Sequence, residues 1–187
     1  MLHKYYLKDD RIKIITNETR QERCISRNKA IEESKGEYIA VIDGDDISLP
    51  ERLEKEYKYL QQNKEVFLVG SRAYIVDEEG NKIGKSWGKK EPVEVTDILK
   101  EDNVLVHSSV MFRGKPEYRY REKFVFTQDY DLFLQMVKEG QRLDLLPDFL
   151  VIYRDSKNIE YDYYKTRQIC AAELSRMILR DEITYEG

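Results

Sequence analysis

Three carboxylates crowd one end of an apolar run in the stretch Glu37-Tyr-Ile-Ala-Val-Ile-Asp-Gly-Asp-Asp46. In extended backbone Asp43 and Asp45 fall on one face, because strand side chains alternate with a period of two. Gly44 between them lets a ligand approach the backbone closely. Two hard oxygen ligands on one face suit Mg²⁺ or Mn²⁺, ions that take one or two protein carboxylates plus substrate phosphates. A metal-bound diphosphate is therefore the ligand this spacing asks for. The competing reading is a solvated acidic turn, in which Asp46 or Ser48 caps the next helix. A calcium loop fits poorly, since Ile47, Leu49 and Pro50 interrupt the run of oxygen ligands such a loop needs.

Asp129 is the second candidate. Thr127-Gln-Asp-Tyr-Asp-Leu132 opens a helix, where backbone N–H groups and the helix dipole stabilise a carboxylate. A carboxylate can take the proton of a sugar hydroxyl. With an ordinary pKa of about 3.9 it is a weak base, so proton transfer comes late in such a reaction. Charge placement at a helix N-terminus explains Asp129 more simply when it is taken alone, and Asp131 shares that explanation. Arg27-Asn28 sits in the first clear helix, where a solvated arginine is the plain reading. His107 ends an apolar run before Ser108-Ser109, as a structural histidine or a substrate contact. The stretch Arg113–Lys123 mixes basic residues with Tyr118 and Tyr120. It reads either as a flexible solvated loop or as a lid over a phosphate-bearing substrate. Trp87 can stack on a sugar or pack at an edge.

The elements that must position these residues follow from pattern. Arg11–Thr16 alternates like a short strand, and Arg20–Lys35 reads as a helix stopped by Gly36. Tyr38–Ile42 reads as a buried parallel strand. A helix follows Leu49-Pro50, with Leu53, Tyr57 and Leu60 inward. Val66–Val76 is strand-like, and Lys82–Trp87 folds back on it as a hairpin. A short helix is expected over Pro92–Glu101 and a strand over Val104–Phe112. Thr127 is placed to cap a helix running through Glu139. Leu143–Tyr153 is a strand interrupted by Pro147, and Tyr161–Asp181 is helical. Strands alternating with helices argue for an α/β layer structure.

The 187 residues suffice for one domain with a short appendage, and 36% of them are charged. A net charge of −4 argues against a nucleic-acid binder. The two cysteines, Cys24 and Cys170, stand in no metal spacing and point to a reduced compartment. No apolar segment has membrane-spanning length, and the first residues lack the apolar core of a signal peptide.

The order of the motifs is more specific than any one of them. Ser26-Arg-Asn-Lys-Ala-Ile31 precedes the acidic run. Leu49-Pro-Glu-Arg-Leu53, His107-Ser-Ser-Val-Met-Phe-Arg113, Gln128-Asp-Tyr-Asp-Leu132 and Tyr153-Arg154 come after it. This combination resembles the family-2 glycosyltransferases of the GT-A fold, from about Arg11 to Arg154. The resemblance implies an α/β fold, a Rossmann-related mixed sheet flanked by helices, over residues 1–155, with residues 156–187 as a C-terminal helical extension. It implies inverting transfer of a sugar from a UDP- or GDP-linked donor to a saccharide or lipid-linked acceptor, in polysaccharide or cell-envelope biosynthesis. Asp43 would contact the ribose, and Asp45 would hold Mn²⁺ or Mg²⁺ with Asp46 in support. Arg27 and Asn28 would line the nucleotide side. Asp129 would be the base, and His107, Gln128 and Trp87 would face substrate or acceptor. Gln128 stands where the family often has Glu. No histidine follows Tyr153-Arg154 as a further metal ligand, and Asp155 is the acid at that place. A cytoplasmic protein, peripheral at the inner face of the membrane, is the implied location.

The resemblance also implies a leading βαβ unit that this sequence does not show. The expectation is an N-terminally truncated fold in which a second chain or a homodimer partner completes the sheet, or the strands on either side pair directly. A non-catalytic remnant serving as a partner-binding module is the alternative function. A metal-dependent nucleotidyltransferase shares the acidic strand end but has no use for Gln128-Asp129.

Overall fold

The computed structural model describes residues 9–115, 117–155 and 161–185. Helix α1 (Arg23–Glu33) leads into strand β1 (Tyr38–Ala40), then β2 (Ile47–Ser48) and α2 (Arg52–Gln62). There follow β3 (Val66–Val76), β4 (Lys82–Lys85), β5 (Val93–Glu94), the short α3 (Thr96–Leu99) and a 3-10 turn at His107–Ser109. Strand β6 (Val110–Arg113), α4 (Gln128–Lys138), β7 (Arg142–Arg154) and α5 (Tyr161–Leu179) complete the order.

One mixed sheet runs β1-β6-β3-β7-β2, with β4 added to β3 and β5 to β7. The long pair β3 and β7 is parallel and the other pairings are antiparallel. Most of β3 is buried because apolar layers cover both of its faces. On one face Leu68, Val110, Phe112, Leu143 and Leu145 meet Leu132, Phe133 and Met136 of α4. On the other, Val69, Met111 and Leu150 meet Leu60 of α2. Gly70 lies where a Cβ would come within 2.8 Å of Leu105, which is why the middle of a buried strand carries no side chain.

Several expectations fail for definable reasons. Arg11–Thr16 keeps its alternation but forms no strand, since among the described residues no neighbouring strand takes its backbone bonds. Tyr38–Ala40 is neither parallel nor deeply buried; it lies at the end of the sheet, antiparallel to β6. In α2 the inward positions are Arg52, Glu56 and Leu60, while Leu53 and Tyr57 are about half exposed. A charged pair therefore occupies places that the apolar pattern assigned to Leu53 and Tyr57. The start of Pro92–Glu101 is strand β5, pairing with β7, and only Thr96–Leu99 is helical. Val104–Phe112 is strand only from Val110, because Ser109 turns back to bond Val106 through both its N–H and its hydroxyl. Pro147 does not break β7. It falls between Leu145, opposite Gly70, and Phe149, opposite Arg72, where the register shifts and no ladder donor is needed. Thr127 precedes α4, but its hydroxyl makes no cap bond and is buried without a partner.

The outer edge of β1 is open among the described residues. The Glu37 carbonyl accepts from Gly114 N–H, and Val41 N–H donates to Val110. Those bonds and the Ile39–Phe112 register turn alternate peptide groups toward β6, so those of Tyr38 and Ala40 face away from the sheet. The direct closing-up of flanking strands is thus not what the fold does.

Helix α5 lies against α4: Ser175 donates to Asp131 (3.2 Å) and Lys138 to the Ile178 carbonyl (2.6 Å). Residues 156–160, at the expected boundary of the C-terminal extension, are outside the described residues. No helix among the described residues is long and apolar enough to cross a membrane.

Candidate active site

The acidic run leaves β1 and turns at once. Asp46 N–H reaches back to the Asp43 carbonyl (3.2 Å), so Asp43 and Asp45 lie on a turn rather than on one face of an extended strand. The turn separates their environments. Asp43 faces inward and is half-buried; its N–H donates to Ser108 Oγ (3.0 Å). Its carboxylate accepts from Arg27 and lies 3.2 Å from His107 Nδ1. Burial opposes ionisation of Asp43, but His107 and Arg27 overcome it and hold the carboxyl well below the usual range. Asp45 is exposed. Asp46 accepts the Arg154 N–H at one oxygen (2.8 Å), and its other oxygen is buried with no partner. Burial, with Asp45 and Asp43 nearby, pushes the Asp46 carboxyl upward.

His107 is nearly buried, and its second ring nitrogen lies 2.9 Å from the Tyr120 hydroxyl. An ionised Asp43 can only accept, so Nδ1 carries a proton, and in the neutral ring Nε2 accepts from Tyr120. Tyr120 is 2% exposed and stands edge-on to His107. Asn28 holds its backbone from both sides: the carboxamide nitrogen donates to the Tyr120 carbonyl and the carboxamide oxygen accepts its N–H, each at 2.9 Å. Within Arg113–Lys123 the two tyrosines are packed inward rather than solvated. Tyr118 and Tyr120 are buried, alternating with Arg119 and Arg121; that period of two was the signal for an inward face.

Asp129 stands half-buried in the first turn of α4, with Asn103 donating at 3.4 Å. Its charge acts on two tyrosines that the acidic turn also influences. Burial pushes the Tyr120 hydroxyl up, Arg27 opposes, and both Asp129 and Asp43 add to the rise. Burial, Asp155, Asp46, Asp129 and Asp45 push Tyr153 up to about 12. Arg27, Asp43 and Tyr120 line one opening, and His107 joins them through its contacts with Asp43 and Tyr120. Asp129 acts on Tyr120 and Tyr153 together with the acids of the turn, and pattern reading missed the part of both tyrosines. A cleft of ≈ 420 Å³ continues from Asp43 along β1, between it and α1. Gln128 is turned away: it is 4% exposed and accepts from Cys24 Sγ (3.2 Å), tying α4 to α1. Trp87 is exposed on the segment after β4.

Asp131 is also absent from the opening, and its role is support. It is fully buried, held by Arg121 through two bonds (2.8 and 2.6 Å) and by Ser175 of α5. One carboxylate thereby fixes the Tyr120 loop and α5 to the helix that carries Asp129.

Among the described residues no group of three or more His, Cys, Asp or Glu is arranged to hold a metal. The donors present are the exposed Asp45 and the unpartnered oxygen of Asp46. That set fits a Mg²⁺ or Mn²⁺ ion that draws its other ligands from substrate phosphates and water. A cation there would also relieve the crowding that raises the Asp46 carboxyl.

The sequence model of Glycosyl transferase family 2 matches residues 1–120, and the chain belongs to that family. It is 38% identical over 159 residues to an uncharacterized glycosyltransferase of Methanocaldococcus jannaschii, covering 82% of this chain and 54% of the relative. An O-antigen biosynthesis glycosyltransferase of Escherichia coli, WbnJ, is 34% identical over 156 residues, covering 81% and 60%. The crystal structure of Staphylococcus aureus TarS in complex with UDP-GlcNAc superposes with a TM-score of 0.68 at 16% identity, covering 95% of this chain and 53% of that one. That likeness shows the GT-A fold. The chain spans about half the length of the curated relatives it matches.

Asn28 offers a local test. Asn28→Ala leaves both backbone groups of buried Tyr120 unpaired, and the expected loss of stability is about 2 kcal/mol, read from the urea midpoint at constant slope. An unchanged midpoint would show that Asn28 does not hold the loop.

Proposed function

We propose that this chain carries a metal-dependent donor site and the base of an inverting glycosyltransferase, acting on a UDP- or GDP-linked sugar and a saccharide or lipid-linked acceptor at the inner face of the membrane. The observation that carries the reading is that Asp129, 83 or more positions from the turn in sequence, acts on the same two tyrosines, Tyr120 and Tyr153, as the acids of the turn. Asp43, kept ionised by Arg27 and His107, accepts from the ribose hydroxyls. Asp45 and the free oxygen of Asp46 would hold Mn²⁺ or Mg²⁺, and a bound ion would supply positive charge to offset that developing on the departing nucleoside diphosphate. Asp129 takes the proton from the acceptor hydroxyl as that oxygen bonds to the anomeric carbon and the bond to the diphosphate breaks on the opposite side. The configuration inverts, and Asn103 steadies the carboxylate. UDP-GlcNAc in the related TarS fold and O-antigen synthesis by the WbnJ relative support this class of donor and acceptor.

Calorimetry with UDP and GDP, with and without Mn²⁺, tests the donor half. Nucleotide binding is expected only with the metal and is expected to fall at least tenfold in Asp45→Ala. Metal-independent binding, or binding untouched by that change, would overturn the assignment.

The open edge of β1 favours a second element of the reading. Its outward peptide groups at Tyr38 and Ala40 border the same cleft as Asp43. A strand from a second polypeptide, or from a second copy, would pair there and wall the nucleotide pocket. If no nucleotide binds under any condition, the non-catalytic, partner-binding reading is the better one.

A further inference from the structure

Several lysines elsewhere on this surface stand beside carboxylates, as Lys13 does with Glu33, Lys55 with Asp148, Lys58 with Glu54 and Lys100 with Asp97, while Lys29 and Lys64 donate to the amide oxygens of Asn17 and Gln61. The run Lys82-Ile-Gly-Lys-Ser-Trp-Gly-Lys-Lys90 departs from that habit. It contains no acidic residue, and among the described residues none of Lys82, Lys85, Lys89 and Lys90 has a carboxylate partner. All four are exposed. Ile83 and Trp87, in the same run, are 51% and 42% exposed. Two large apolar side chains in water beside four lysines without a carboxylate partner are an uncommon use of surface.

The run is also held in a fixed shape. A register shift in the β3–β4 pairing sets Tyr74 opposite Lys85 and Val76 opposite Lys82, so both lysines share a face and Ile83 is the unpaired residue between them. Lys82 lies 3.6 Å from the Tyr74 ring centroid and Lys85 lies 5.4 Å from that of Phe149. Beyond β4, Ser86 donates its N–H to the Ala73 carbonyl (2.9 Å) and accepts the Ala73 N–H at its hydroxyl (2.8 Å). Gly88 then crosses Arg72 so closely that a Cβ would stand 2.6 Å from it. Trp87 is thus presented from a pinned segment.

We infer that the face built by Lys82–Lys90 seats against a lipid bilayer bearing anionic headgroups, with Trp87 and Ile83 entering the headgroup region. The chain as a whole carries a net charge of −4 and is repelled by an anionic surface, so contact must be made through a local positive face. Lysines near such a surface attract it within a Debye length, and tryptophan is at home at the boundary between headgroups and acyl chains. An aliphatic side chain such as Ile83 has no use in binding an acidic glycan but gains by leaving water for a bilayer. This deepens the proposed reading of a lipid-linked acceptor, and rests on it for its purpose, because the surface would hold the enzyme where such an acceptor lies.

Trp87 is the only tryptophan in the chain, so its emission reports this face alone. The whole chain is mixed with vesicles of phosphatidylcholine, with and without phosphatidylglycerol, at low and high salt. Co-sedimentation is expected with the anionic vesicles at low salt, accompanied by a blue shift of Trp87. Lys89→Glu/Lys90→Glu is expected to lower partitioning about tenfold or more. Ile83→Ser is expected to weaken it while leaving its salt dependence intact. Absence of binding to anionic vesicles overturns the inference. Binding without a Trp87 shift, or binding that the double variant does not weaken, overturns it as well. Mn²⁺-dependent UDP binding, measured on the same variants, is expected to be unchanged. If nucleotide binding fails in the parent chain while vesicle binding follows the pattern above, the donor assignment falls and the membrane face stands.

Discussion

Asp129→Asn is expected to lower sugar transfer by about 10²–10⁴-fold, the usual worth of a positioned general base. Asparagine is nearly isosteric and can keep the contact with Asn103 (3.4 Å), so the fold should be unaffected. What it cannot do is take the acceptor's proton as the new bond forms. The loss should therefore fall on kcat, with the nucleotide Kd unchanged, since the proposed donor side is built from Asp43, Asp45 and Asp46. Asp131→Asn makes the informative contrast. Asp131 touches no part of the opening, and its two bonds to Arg121 hold the loop of Tyr120. That change should lower stability first and affect transfer only through the loop. Transfer by Asp129→Asn at the parent rate, measured with the same acceptor, would remove Asp129 from the mechanism.

The second large effect is expected at a place with no part in chemistry. Arg52 and Glu56 are 1% and 0% exposed. Arg52 Nε lies 3.1 and 3.2 Å from the two Glu56 oxygens, its other arm donates to the Val110 carbonyl (3.0 Å), and Ser71 donates to Glu56 (3.0 Å). Arg52→Ala should cost about 3–5 kcal/mol, because it leaves a buried carboxylate without its counterion. That is a large part of the 5–15 kcal/mol typical of a domain, and it should appear as a fall in the urea midpoint. Burial, only partly opposed by Arg52, raises the Glu56 carboxyl from 4.5 to about 7. Between those pH values the folded chain holds a proton that the unfolded chain has released. The contribution of Glu56 therefore turns against folding as pH rises through that window and is constant above it. Glu56→Gln should flatten this slope. The deficit of Arg52→Ala should be largest near pH 8 and smaller near pH 5, where Glu56 can be neutral. A deficit independent of pH would contradict the raised carboxyl. Asp43 works the other way: its carboxyl is lowered, so the stability it contributes is lost as pH falls through and below the ordinary carboxylate range.

Arg52 also marks where pattern reading breaks down. An apolar stripe predicts the buried face of a helix only when burial is driven by apolar contact. In α2 the buried positions are Arg52, Glu56 and Leu60, and a charge pair with a backbone partner takes the place of Leu53 and Tyr57. Strand position fails for a related reason. Tyr38–Ile42 has the composition of a central parallel strand, yet it borders an open edge. Composition records which side chains tolerate burial and says nothing of which neighbour supplies the hydrogen bonds. The long elements, β3, α4, β7 and α5, were legible because each repeats its periodicity over many residues.

The types and order of the chemical residues were determined by sequence alone: an acidic triplet after an apolar run, Arg27-Asn28 before it, and Asp129 at a helix start. So was the family that this order resembles. What only the tertiary structure decided is how they face one another. The turn at Gly44 divides the acids, giving Asp43 to Arg27 and His107 and leaving Asp45 exposed and one oxygen of Asp46 buried without a partner. The same packing turns Gln128 onto Cys24 and fixes Tyr120 between His107 and Asn28. The physical reason is range. Side-chain type and local period act over a few residues, whereas the bond between Asn28 and Tyr120 spans 92 positions and exists only because β1 and β6 pair and the loop after β6 folds back onto α1.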